Sequence, residues 1–85
     1  MSKYIYMINN ECISNKIAFR FLDKAVEYNL GSKKKNISSE AFQKERKQLI
    51  HLLEVYSSII LRFQNDGDTR LQQCVLKKVY KNEVN

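Results

Sequence analysis

The chain has 85 residues, with 15 Lys or Arg against 9 Asp or Glu for a formal charge of +6, and it contains no proline and only two glycines. That length leaves room for one core, so a single domain spanning residues 1–85 is expected. A hydrophobic content of 44% matches globular proteins and argues against wholesale disorder, while the lack of Gly and Pro disfavours a loop-rich sandwich and suits helices.

Along the chain, Lys3 to Ile8 is aromatic and β-branched, which favours a short strand. Asn9-Asn10 would turn it into a hairpin with Glu11 to Ile13. Against this, Ile5, Ile8, Cys12, Asn15, Phe19, Leu22 and Val26 form a heptad-like series, as if one helix ran from the start. A separate short element is the expectation. As a strand it would need helices or another chain to pack on, because a lone hairpin is marginal in water. Ser14 then caps a helix from Asn15 to about Asn29, with Ile17, Ala18, Phe21, Leu22 and Ala25 as its stripe and Gly31 as its stop. Lys16, Arg20 and Lys24 make a basic line on its exposed side, half neutralised by Asp23 and Glu27.

Residues 32–48 hold six basic and two acidic side chains, so the charge concentrates in the Lys33-Lys34-Lys35 loop and the turns after it. Ser38 is an N-cap, with Ile37 and Phe42 placed as a hydrophobic staple. From Ser38 to Asn65 no Gly or Pro interrupts, and the spacing predicts one helix of roughly 42 Å. Phe42, Leu49, Tyr56 and Phe63 recur every seventh residue with Leu53 and Ile60 interleaved, as in a coiled-coil seam. Ile50 and Leu61 break the pattern and project together into the polar face. Asn65-Asp66-Gly67 marks a turn, after which Asp68 caps a last helix, Thr69 to about Lys81, on a stripe of Leu71, Val75 and Val79. Asp66 and Arg70 would form an ion pair along that segment. The fold class expected is therefore all-α: a small three-helix bundle with a long central helix, a short strand or turn at the N-terminus, and an oligomeric state.

No catalytic constellation emerges. His51 is the only histidine, Cys12 and Cys74 form no CxxC pair, and Gly31-Ser32-Lys33 lacks the rest of a phosphate loop. The expectation is a non-enzyme with no catalytic residue, metal, cofactor or small-molecule substrate. Both cysteines are expected to be buried and unpaired. No apolar run reaches about 18 residues and Tyr4–Ile8 is too short for a signal-peptide core, so no membrane contact and a cytoplasmic setting are expected.

The long apolar helix is hard to cover in so short a chain. It predicts a regulatory or adaptor protein that binds itself, as a dimer, or another protein. Phe42, Leu49, Leu53, Tyr56, Ile60 and Phe63 form the interface, with Ile50 and Leu61 as a second contact. The competing reading is a basic nucleic-acid binder, touching phosphates through Lys33, Lys34, Lys35, Lys77, Lys78 and Lys81. Neither glycine fits a helix-turn-helix: Phe63 and Gln73 flank Gly67 at the diagnostic positions, and Glu27 and Ile37 flank Gly31.

Overall fold

The computed structural model describes residues 4–31 and 38–80. Its elements run β1 (Tyr4–Ile8), β2 (Glu11–Ile13), α1 (Asn15–Asn29), α2 (Ser39–Tyr56), β3 (Ser58–Phe63) and β4 (Gln72–Tyr80). The strands form one antiparallel sheet in the order β2-β1-β4-β3, with both helices on one face. This overturns the all-α bundle. The N-terminal hairpin and α1 stand where the residues predict them, but the long helix stops at Tyr56 and the expected last helix is a strand.

The hairpin forms because Asn9 and Asn10 both adopt positive φ, 50° and 71°, which matches the right-handed twist of the strands it joins. β1 then pairs along its length with β4, which gives the marginal hairpin the support it needs. In α1 the Ser14 hydroxyl accepts from the Ile17 N–H at 3.2 Å, and Gly31 follows in the left-handed region at φ 67°. In α2 the Ser38 hydroxyl accepts from the Ala41 N–H at 3.1 Å. Ile37, the other half of the expected staple, lies outside the described residues.

The break after Tyr56 has a local cause. Ser57 turns into the left-handed region at φ 68° and its N–H closes the helix on the Leu53 carbonyl at 2.7 Å. Beyond it, Ile59, Leu61 and Phe63 point inward while Ser58, Ile60 and Arg62 point outward, a period of two. Leu61, the misfit of the helical reading, is a fully buried core residue. β4 alternates likewise, with Cys74, Leu76 and Lys78 inward and Val75, Lys77 and Val79 outward. Asp66-Gly67 is a turn as expected, but it lies in the connection between β3 and β4 and does not join helices. Asp68 there accepts from the backbone and guanidinium of Arg70 at 2.9 to 3.1 Å, taking the place of the expected Asp66–Arg70 pair.

The core lies between helices and sheet. Leu22, Leu53, Leu61 and Leu76 are completely buried, each stabilising the fold by about 1.5–3 kcal/mol relative to exposure. Tyr6, Ala18, Ala25, Phe63 and Cys74 complete the cluster. The helices are tied by Arg46 to Asp23 at 3.2 Å, an ion pair without hydrogen-bond alignment, and by Asn29 donating to Glu45 at 3.1 Å. No described helix is long and apolar enough to cross a membrane.

Candidate interaction surface

Among the described residues, alternation along each strand divides the sheet into a covered and a bare face. On the covered face Tyr6 stands beside Ile13 and Lys78, Ile8 and Ile59 flank Leu76, and Leu61 stands beside Cys74. The bare face carries Ile5 next to Val79, Met7 between Cys12 and Lys77, Val75 next to Ile60, and Gln73 next to Arg62. Its aliphatic side chains form two groups, Val75 with Ile60 and Val79 with Ile5, on either side of Lys77, and Ile60, Val75 and Val79 are 58%, 37% and 39% exposed. Lys77 leans from between them toward the hairpin turn, where its ammonium donates to the Asn10 side chain at 3.2 Å. The face therefore carries two aliphatic groups parted by a lysine whose ammonium is drawn aside, with Arg62 at one end.

The residues expected to form a partner surface are split by the fold. Leu53, Leu61 and Phe63 are buried inside the chain's own core, so no partner reaches them. Phe42, Leu49 and Ile50 are half-buried on α2, with Leu49 and Ile50 packed against the core. Only Tyr56 and Ile60 are well exposed, at 67% and 58%, just before and within β3. Ile5, Met7, Val75 and Val79 were missed as surface partners of Ile60. Their signal was alternation, which is visible only once residues 58–63 and 72–80 are read as strands.

The lysine patch is also divided. Lys33, Lys34, Lys35 and Lys81 lie outside the described residues. Lys77 is on the bare face, but Lys78 points into the covered one and is 8% exposed. Its ammonium donates to the half-exposed Glu54 carboxylate at 3.3 Å and lies 4.4 Å from the ring centre of Tyr4 and 5.5 Å from that of Tyr80. Ring faces attract a desolvated cation, so the site holds the charge by cation–π contact and one ionic hydrogen bond. Burial pulls the Lys78 pKa down, but the acidic groups of Tyr6, Glu54 and Tyr80 around it outweigh that pull and leave it above the ordinary value. Burial likewise raises the Tyr6 pKa, against the pull of Lys78. Lys78 is a structural charge with its contacts already made.

Cys74 is buried, and its thiol pKa is raised by that burial, whereas Cys12 is exposed at the margin of the bare face, contrary to the expectation that both are buried. On α1, Lys24 is half-buried and donates to Asn65 at 2.8 Å, which removes it from the exposed basic line, while Lys16 and Arg20 stay exposed. His51 is exposed on α2, and no three His, Cys, Asp or Glu side chains among the described residues converge as a metal site. The class defined is a two-layer α/β protein with one bare sheet face. No family model matches the chain, and neither a curated protein nor a solved structure shows significant similarity to it.

Proposed function

We propose that this is a small non-enzymatic regulatory or adaptor protein that acts by protein–protein contact and associates with copies of itself. What supports the reading is the bare sheet face: Ile5 with Val79 and Ile60 with Val75, on either side of Lys77, stand outward from a sheet whose other face is covered by two helices. A four-stranded sheet with one face bare and apolar gains by burying it against a protein surface. The setting proposed is the cytoplasm, where unpaired thiols such as Cys12 and Cys74 persist.

The rival reading, a protein that grips the phosphate backbone of nucleic acid, draws on the net charge of +6 and on exposed Lys16, Arg20, Lys44 and Lys47. It ranks second because Lys78, one of the lysines it would use, is buried with its contacts to Glu54, Tyr4 and Tyr80 already made. Sedimentation velocity over a dilution series, at low and high salt, separates the two. Self-association that changes little with salt is expected. A monomer at every concentration that binds nucleic acid with steep salt dependence would replace the first reading by the second.

A further inference from the structure

We propose that β3 pairs antiparallel with β3 of a second copy, with Ile60 on the two-fold axis, joining two four-stranded sheets into one. This rests on the reading of the chain as self-associating and assigns a sheet edge, beside the bare face, as the surface that does it.

The two edges of the sheet are unlike. β2 is three residues long and begins with Glu11, and a short charged strand is a poor template for pairing. β3 is six residues long, and it pairs with β4 without a bulge from Ser58 opposite Lys77 to Phe63 opposite Gln72. It contains no proline, and Arg62 near its end is its one charged residue.

The direction of its free backbone groups follows from one hydrogen bond. The Lys78 N–H donates to the Ser57 carbonyl at 3.0 Å, and bonded pairs alternate along an antiparallel ladder. Ile59, Leu61 and Phe63 therefore direct their N–H and C=O groups at β4. Ser58, Ile60 and Arg62 aim theirs out of the sheet. On the other side of β4 the pattern is complementary, since Asn9 N–H donates to the Val75 carbonyl at 3.2 Å.

These same three residues point their side chains to the bare face, and their order is self-complementary. With Ile60 on the axis, Ile60 meets Ile60 and each Ser58 meets the Arg62 of the other copy. All three outward residues are then paired, each pair exchanging two backbone hydrogen bonds. Sliding one strand by two residues leaves one of the three without a partner. Sliding it by four toward the end of the strand sets Arg62 against Arg62, a like-charge contact that destabilises a cross-strand pair. The arrangement that uses every free group is thus also the one that keeps the cations apart. That is the mark of a second copy as occupant, and it covers Ile60, the most exposed aliphatic side chain of β3. The two bare faces then lie on the same side of one joined sheet.

Cysteine pairing reads the register. In a Cys12→Ser background, Ile60→Cys is expected to give a disulfide-linked dimer under mild oxidation, since a hydrogen-bonded pair sets its Cα atoms about 5.5 Å apart, within the roughly 4.4–6.8 Å that a disulfide spans. Ser58→Cys alone and Arg62→Cys alone should give none, while their mixture gives a linked heterodimer. Ile60→Pro removes an N–H that points away from the sheet, a position where an edge strand tolerates proline. It is expected to keep the far-UV spectrum of the parent and to lose the dimer. Should it lose the spectrum instead, the cysteine series decides alone. A parent chain that is monomeric at every concentration overturns both the pairing and the self-association reading. A parent dimer with no Ile60→Cys bond, or one that persists in folded Ile60→Pro, overturns the pairing and leaves the reading standing.

Discussion

Leu61 and Ile60 are adjacent, similar in size and opposite in fate, and truncating each to alanine tests the strand assignment. Leu61 is 1% exposed between Cys74 of β4 and the helices, whereas Ile60 is 58% exposed on the bare face. Leu61→Ala removes buried methyl groups and leaves a cavity, which costs about 2–5 kcal/mol. At about 4–8 °C per kcal/mol for a chain of this size, a loss near 3 kcal/mol lowers the melting temperature by roughly 12–24 °C. Ile60→Ala forfeits strand propensity alone, up to about 1 kcal/mol. The assay is thermal unfolding by circular dichroism at the lowest usable concentration, so that association adds nothing to Ile60. An unbroken helix through this segment would place Ile60 in the apolar seam and Leu61 on the polar face, inverting the order. A loss for Ile60→Ala equal to or greater than that for Leu61→Ala would rule out a strand at residues 58–63 with Leu61 inward.

Three further outcomes are expected. Ser57→Gly relieves a left-handed residue at φ 68° and should stabilise the chain by up to about 1 kcal/mol in urea unfolding; in the interior of a helix the same change would destabilise by about that much. Ellman's reagent should modify one thiol per native chain at once, Cys12, with buried Cys74 reacting only on unfolding. Glu54→Gln strips the Lys78 ammonium of its ionic partner and should cost about 1 kcal/mol at pH 7. Because the folded pKa of Lys78 is raised, the stability tied to its charge is complete below the ordinary lysine value and is lost as pH rises through the folded one. Melting curves of parent and Glu54→Gln should therefore differ at neutral pH and converge in strong alkali.

Local chemistry made part of this fold legible. Ser14 and Gly31 bracket α1, Ser38 opens α2, and Asn9-Asn10 with its aromatic and β-branched flank marks the hairpin. The two failures have separate causes. Leu71, Val75 and Val79 are four residues apart, and a spacing of four puts side chains on one face of a helix and also on one face of a strand. The residues between them separate the two periods: Cys74, Leu76 and Lys78 alternate inward. Lys78 hid that alternation, because a lysine at a core position looks like the polar side of a helix until Tyr4, Tyr80 and Glu54 are seen around it. The end of α2 was hidden because Ser57 makes its left-handed turn without glycine. Of the expected partner surface, Tyr56 and Ile60 lie on the outside, and the aliphatic neighbours that give Ile60 its setting arrive only through the pairing of β1, β4 and β3.

Amide hydrogen exchange along β3, followed by NMR at low and high protein concentration, tests the strand and its use together. Slow exchange is expected at Ile59, Leu61 and Phe63 under both conditions, and exchange at Ser58, Ile60 and Arg62 that is fast in dilute solution and slow in concentrated solution. Uniform protection from Leu53 through Phe63, as in a continuous helix, or fast exchange at Ile60 at every concentration, would contradict this pattern.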